Sequence, residues 1–332
     1  MSAPLVFITG ATGFIGSATA LEALKAGYRL RICVRQESDK LKALLSSYRD
    51  QIEFVVISDL TVEASFRGKL DGVDYVLHLA SPLTHGTDKE TYFTPAVNGT
   101  LAILKEADRV PSIKKVVITS SIASLFPLTG IPEGGVIKED NDWDLTVDPL
   151  ANFVDPKNPA AAPMTLYRAS KLLADKATWD FWKTNQPHYS LVTLHPAFVF
   201  GHNLVQTSAE GIRSGSNGVI WRGVMEGAAA GGISITGVHV QDVAEAQIKA
   251  LGPEIKGGSK YLLAGKPTTW KDVARIVHKY YPDIGAKLTE DAEGASTLTD
   301  TSKAENELGM QWRSWEEIVR SIMDQQLGFL RT

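Results

Sequence analysis

The stretch Leu5-Val-Phe-Ile-Thr-Gly-Ala-Thr-Gly-Phe-Ile-Gly16 decides the fold. An apolar run follows Pro4 and breaks into glycines at 10, 13 and 16; residues 14–26 then read as a helix ended by Gly27. Strand, glycine turn and helix in that order form the context of a dinucleotide-binding fingerprint. The first glycine permits a sharp turn without a Cβ clash. The second lets backbone approach a pyrophosphate, and the third lets the helix pack on the strand. The phosphates would then meet free N–H groups at the helix N-terminus. Gly10, Thr12, Gly13, Phe14, Ile15 and Gly16 are therefore the expected cofactor loop.

Outward from this loop, short runs rich in Val and Ile recur at 5–9, 29–34, 52–57, 75–79, 115–119 and 190–195, with helical stretches between them. Buried parallel strands read this way, and their alternation with helices predicts βαβ units around a doubly wound, Rossmann-type parallel sheet in an α/β protein. Before the fifth run, Val97, Leu101, Leu104 and Ala107 are spaced to bury one helix face. Regularity fails between Pro127 and Pro163, where six prolines alternate with acids; this predicts a long loop over the sheet edge. Helical periodicity resumes over 164–185. Residues 201–237 are glycine-rich and poorly periodic. A helix (241–251), a strand (260–263) and helices near 270–281 and 315–327 follow. The expected organisation is a cofactor domain over 1–200, with 238–265 returning to it. A smaller C-terminal substrate lobe from 201–237 and 266–332 would lie over the carboxyl ends of the strands.

The chain has 332 residues, 44% hydrophobic and 22% charged, with a formal net charge of −4. Mild negative charge without basic blocks argues against nucleic acid as a partner. The single cysteine, Cys33, leaves no disulfide and no thiolate metal cluster within the chain, and its strand position predicts a small buried apolar residue. No run approaches the ~18 apolar residues of a membrane helix, and the short N-terminal run feeds straight into the glycine turn rather than a signal peptide. These features predict a cytoplasmic protein, monomer or homodimer, without membrane contact. The seven histidines lack metal-site spacing; His78 and His195 adjoin strands and read as structural, while His202 faces the expected cleft. The seven tryptophans are scattered and form no stacking platform.

Two motifs carry chemistry. Tyr167-Arg-Ala-Ser-Lys171 sets a phenol and an ammonium four residues apart on one helix face, and of nine tyrosines only Tyr167 has Lys at the fourth following position. A nearby cation favours phenolate, which would lower the tyrosine pKa toward working pH so that it exchanges a proton with a carbonyl oxygen as hydride moves. Val116-Val-Ile-Thr-Ser-Ser121 ends the fifth strand in hydroxyls. Ser121, furthest into the cleft, is expected to hold a substrate oxygen, and Thr119 and Ser120 to satisfy turn N–H groups. Phe126, Met164, His202 and Trp221 are the residues expected to line a substrate pocket.

Taken together, Gly-x-x-Gly-x-x-Gly, Thr-Ser-Ser and Tyr-x-x-x-Lys resemble the extended short-chain dehydrogenase/reductases. Gly13-Phe-Ile-Gly-Ser17, Val34-Arg35, Ser58-Asp-Leu60, His78-Leu-Ala-Ser81, Val97-Asn-Gly-Thr100 and His195-Pro196 are similar to the dihydroflavonol reductase-like branch, which includes fungal aldehyde, ketone and methylglyoxal reductases. The resemblance runs from about 5 to 265 and implies an NADPH-dependent carbonyl reductase with reversible alcohol oxidation. It implies Tyr167 as acid, Ser121 as orienter, and Lys171 on the nicotinamide ribose. It also implies Asp59 and Leu60 at the adenine, Leu79, Ala80 and Ser81 on the diphosphate-ribose side, and Pro196, Ala197 and Val199 at the nicotinamide.

The choice of NADPH over NADH has a physical argument of its own. NAD sites usually end the second strand in an acid that grips the ribose 2′-OH. Here Val34 is followed by Arg35, whose planar fork suits a 2′-phosphate, and Lys40 falls where the branch often has a second cation; Glu37 and Asp39 oppose them. Alternatives on the same fold are a nucleotide-sugar epimerase or dehydratase, or a hydroxysteroid dehydrogenase. Ser121-Ile122-Ala123 lacks the Asp-Glu pair usual beside a sugar dehydratase's hydroxyl. A non-enzymatic NADP(H)-binding redox sensor is the other class, against which Ser121, Tyr167 and Lys171 together argue.

Overall fold

The computed structural model describes residues 3–36, 38–227 and 234–331. The strands are β1 (Leu5–Thr9), β2 (Arg29–Val34), β3 (Ile52–Val56), β4 (Tyr75–His78), β5 (Lys115–Thr119), β6 (Ser190–Pro196), β7 (Phe198–Phe200), β8 (Gly237–His239) and β9 (Ser259–Leu263). The helices are α1 (Phe14–Lys25), α2 (Asp39–Leu44), α3 (Glu90–Asp108), α4 (Ala162–Asn185), α5 (Asn217–Glu226), α6 (Val240–Lys249), α7 (Trp270–Tyr280), α8 (Ser302–Glu307) and α9 (Trp315–Arg331). Seven strands form one sheet in the order β3-β2-β1-β4-β5-β6-β9, every pair parallel. β7 and β8 make a separate parallel pair.

β1 is buried on both faces. Val6 and Ile8 join the core beneath α1 and α6, while Leu5 and Phe7 join the core beneath α3 and α4. This two-sided burial is why the strand reads as an unbroken apolar run. Strand order reverses between β1 and β4, so the crevice beyond their carboxyl ends is where this class of sheet takes a ligand.

A third core lies beyond this sheet. Phe200, Ile220, Val224, Trp270, Val277, Trp315 and Ile322 meet there, drawn from β7, α5, α7 and α9. It contains elements that the sequence conceals. α5 lies inside the stretch expected to be irregular, because its glycines serve packing: a Cβ on Gly223 would stand 2.4 Å from the Trp270 ring, and one on Gly237 would stand 2.5 Å from that of Phe200. β7, β8 and the six-residue helices α2 and α8 are likewise too short for periodicity to register.

The proline-rich segment is a loop over the sheet edge, as expected. Ile137 donates to the Leu298 carbonyl (3.0 Å) and accepts from Asp300 N–H (2.9 Å). A Glu139 carboxylate oxygen accepts the Leu262 N–H of β9 at 2.7 Å, and burial raises that carboxyl's pKa. Cys33 is buried as expected, with its thiol pushed up to about 12 by desolvation. Among the described residues no helix is long and apolar enough to cross a membrane.

Candidate active site

The glycine loop is built backbone against backbone. Gly10 adopts φ +78°, and a Cβ there would stand 2.7 Å from the Ala80 nitrogen, so the ends of β1 and β4 touch directly. A Cβ on Gly16 would stand 2.1 Å from the Gly10 carbonyl oxygen; only glycine lets α1 close onto the turn. Gly13 caps α1 without a side-chain hydrogen bond, and the first turn carries no acid. Thr12 and Gly13 are exposed at its mouth. A helix start with uncapped N–H groups behind a glycine turn fits an anionic diphosphate.

Thr9 holds the two strand ends together. Its hydroxyl accepts the Leu79 and Ala80 N–H groups, each at 3.2 Å, and lies 3.0 Å from His78 Nδ1. One hydroxyl carries one proton, so Thr9 donates to Nδ1 and the imidazole carries its proton on Nε2. Burial first, and the Lys171 charge second, lower the His78 pKa to about 4. His78 is a neutral structural residue, as its strand position predicts.

The three residues expected to act together converge beyond β4 and β5. Tyr167 is half-buried and Lys171 buried on α4; Ser121 is buried just after β5. Lys171 Nζ donates to Ser81 Oγ at 2.8 Å and lies 5.7 Å from the Tyr167 ring centroid. Desolvation brings the Lys171 ammonium down to about 8, with the Asp175 charge pulling it back up. The Tyr167 phenol differs from expectation: burial raises its pKa, and the opposing influence is a hydrogen bond from Ser121 rather than the ammonium. Lys171 is turned toward Ser81, and the cost of a buried phenolate outweighs a cation beside the ring. The hydroxyl assignments also change. Ser121 Oγ accepts the Ala123 N–H at 3.1 Å, the turn-capping role expected of its neighbours. Thr119 instead lies 2.6 Å from Gln247 Nε2, and Ser120 lies 3.0 Å from Ser124 Oγ.

Behind Ser121 runs a buried polar network. Ser124 donates to the Ser121 carbonyl at 2.8 Å and lies 2.9 Å from His195 Nδ1, while His195 Nε2 lies 2.7 Å from Thr193 Oγ1. Because Ser124 has spent its proton on Ser121, Nδ1–H donates to it and Nε2 accepts from Thr193. Desolvation lowers the His195 pKa to about 4. A neutral imidazole thus fixes the backbone on which Ser121 is mounted.

The expected cofactor rim is dispersed around this centre. Arg35 and Lys40 are exposed beyond the end of β2, with Lys40 3.3 Å from Thr207 Oγ1. Asp39 is exposed in the first turn of α2, and Glu37 lies outside the described residues. Asp59 is turned back on Thr61, accepting its N–H and hydroxyl at 2.8 and 2.7 Å; these bonds lower its carboxyl's pKa. Leu60 is half-buried beside it. Pro196 closes β6, Ala197 donates to the Leu263 carbonyl at 2.9 Å, and Val199 is buried in β7.

Of the residues expected in a substrate pocket, Met164 is exposed on α4, three residues before Tyr167, and His202 is exposed beside Gly201. Phe126 lies under the Arg168 guanidinium at 4.7 Å, and Arg168 Nη2 donates to the Pro127 carbonyl at 2.8 Å, tying that loop to α4. Trp221 is different: it packs against the third core.

Sequence reasoning missed Thr9, Asp175 and Lys260. A signal for Thr9 existed, since Thr9 and His78 are polar residues ending apolar strands and are register partners. Asp175 and Lys260 are brought together at 2.7 Å from 85 residues apart, a pairing that spacing does not reveal.

A glycine turn at the switch point of a parallel sheet, with a Ser, Tyr and Lys at its rim, defines a dinucleotide-dependent enzyme of the short-chain dehydrogenase/reductase kind. A family model described as NAD dependent epimerase/dehydratase family matches residues 6–264, and the chain belongs to that family. It is 60% identical to ketoreductase sphI of Aspergillus fumigatus over 330 residues, 99% of each chain. It is 28% identical to aldehyde reductase 2 of Sporidiobolus salmonicolor, covering 96% of this chain and 95% of that one. Among solved structures, Gre2 of Candida albicans in complex with NADPH superposes with a TM-score of 0.79 at 27% identity, covering 98% of this chain and 99% of that one. The expected resemblance and the Rossmann-type fold both stand.

Proposed function

We propose that the protein is an NADPH-dependent carbonyl reductase that reduces an aldehyde or ketone and, in reverse, oxidises an alcohol. The observation that carries this reading is the convergence of Ser121, Tyr167 and Lys171 beside the Gly10–Gly16 cradle. Similarity to a ketoreductase, an aldehyde reductase and an NADPH-bound structure supports both the reaction class and the cofactor.

In this reading the bound nicotinamide supplies the hydride. Backbone of Gly10, Thr12, Gly13, Phe14, Ile15 and Gly16 would hold the diphosphate with Leu79, Ala80 and Ser81. Arg35 and Lys40 would take the 2′-phosphate, Asp59 and Leu60 the adenine side, and Pro196, Ala197 and Val199 the nicotinamide side. Ser121 has one proton to give, since its hydroxyl already accepts from Ala123; it hydrogen-bonds the carbonyl oxygen and orients it. Tyr167 delivers a proton to that oxygen as negative charge develops. Burial keeps its phenol protonated at neutral pH, the form a donor needs. Lys171, now on Ser81, would reach the cofactor's ribose with the same ammonium.

Ser121 is followed by Ile122 and Ala123, which offer no carboxylate for a dehydratase's acid–base pair. The smaller lobe around the third core would face the substrate, with Phe126, Met164 and His202 at its border, and the enzyme would work in the cytoplasm as a monomer or homodimer.

The deciding experiment is Tyr167→Phe, which keeps the ring and deletes the hydroxyl. Turnover of NADPH with the best substrate from a carbonyl panel falls ~10²–10⁴-fold while NADPH still binds. Near-normal kcat with chemistry rate-limiting would remove Tyr167 from the mechanism.

A further inference from the structure

One helical turn beyond Lys171, α4 carries Asp175, a buried carboxylate with no part in the mechanism above. Three elements besides α4 face it. From β9, Lys260 Nζ binds Oδ2 at 2.7 Å; from the end of β5, Ser120 Oγ lies 3.4 Å from Oδ1, its one proton shared with Ser124 Oγ at 3.0 Å; from β6, His195 Nε2 lies 3.7 Å from Oδ1. With a pKa near 4 and Nε2 accepting from Thr193, that imidazole brings no positive charge at neutral pH. Lys171 is faced by His78 from β4, also neutral, by Ser81, and by Tyr167 on its own helix. Asp175 is therefore the anion that acts on the Lys171 ammonium. Between them lies a cavity of about 20 Å³ lined by His78, Ser81, Thr119, Ser120, Lys171 and Asp175. A water needs ~10–15 Å³ and two to four polar partners, so this chamber has room and partners for one.

We propose that Asp175 is a positioning residue for the reduction: its carboxylate, fixed by Lys260, keeps the Lys171 ammonium charged at the pH where the enzyme works. A neutral Lys171 would donate fewer hydrogen bonds to Ser81 and to the ribose it is proposed to hold. Lys260 tunes the effect, because its charge offsets part of the Asp175 field. The two residues therefore act on Lys171 with opposite sign.

This inference rests on Lys171 serving the reaction, and one set of variants separates the two claims. NADPH affinity by fluorescence titration, and kcat and KM with methylglyoxal as probe, are measured from pH 6 to 10 in each. Asp175→Asn moves the alkaline limb of both NADPH affinity and kcat to lower pH by roughly one unit, the lower end of what one nearby opposite charge does to a titrating group. KM for methylglyoxal is unchanged, and Asp175→Glu returns the limb toward its original pH. Lys260→Gln moves the limb upward, and it decides the matter if Asp175→Asn fails to fold. A structural role alone would lower melting temperature and leave the limbs where they are. Unmoved limbs in the folded variants, or limbs moved the same way by Asp175→Asn and Lys260→Gln, overturn the proposal. Lys171→Ala with normal turnover and NADPH affinity overturns the reading of the site, and this proposal with it.

Discussion

The half of the sheet that carries the glycine turn and the third core are built by opposite means. In the first, chain neighbours become spatial neighbours: β1, the glycine turn, α1 and β2 are consecutive, and β1 pairs β2 from Leu5 with Arg29 to Thr9 with Cys33. In the second, Phe200, Ile220, Trp270 and Trp315 gather from separate elements over more than a hundred residues. Local rules suffice for the first. The second is held by aromatic rings seated on glycines, a relation that no local pattern records. Glycine itself changes meaning between the two. Gly10 and Gly16 allow backbone to meet backbone, whereas Gly223 and Gly237 leave room for the rings of Trp270 and Phe200.

Substitutions can break this contrast. The largest expected effect is in the third core. Trp270 is fully buried, so Trp270→Ala costs ~3–5 kcal/mol, read as a lowered chemical-denaturation midpoint with NADPH affinity little changed under native conditions. Equal losses of stability and affinity would mean that the two regions are one energetic unit. Gly16→Ala reverses the pattern. Its Cβ, 2.1 Å from the Gly10 carbonyl oxygen, forces the turn open at ~1–3 kcal/mol of overpacking, and NADPH affinity collapses in a calorimetric titration while the fold persists. Retained affinity would show that α1 need not seat on the turn.

Smaller effects sharpen the comparison at the rim. Arg35→Ala lowers the ratio of NADPH to NADH affinity by roughly tenfold, the scale of one charged contact, with kcat largely intact; an unchanged ratio would place the 2′-phosphate elsewhere. The smallest expected effect is at Cys33. Desolvation holds its pKa near 12, so almost no thiolate exists at pH 8, and iodoacetamide leaves native activity untouched. Rapid inactivation matched to alkylation of Cys33 would show that β2 opens.

Much of the sheet, and the placing of Tyr167 and Lys171 on one helix face, was legible because each rests on short-range pattern. Leu5–Thr9 is apolar at every position because both faces are covered, and Tyr167 and Lys171 share a face because four residues make about one helical turn. What spacing could not supply was electrostatics. The expectation that Lys171 acidifies Tyr167 follows from proximity on a helix, yet the ammonium is turned to Ser81 and burial dominates the phenol. Ser120 and Thr119 were legible as hydroxyls but not in their remote partners, since Asp175 arrives from α4 and Gln247 from α6. Trp221 illustrates the same limit: an indole near the cleft in sequence packs into the third core in space.

The bond that the Leu262 N–H gives to Glu139 has a consequence in time. Its partners are 123 residues apart, and among the described residues β9 is the last strand to be made. When β9 leaves the ribosome, β6 on one side and the loop bearing Glu139 on the other have already been synthesised. The final strand is thus delivered after both of its neighbours rather than ahead of one, so the Leu262 amide does not wait for a partner still untranslated. An unpaired amide on a border strand is where sheets add the wrong neighbour, and the Leu262 amide meets an acceptor made before it.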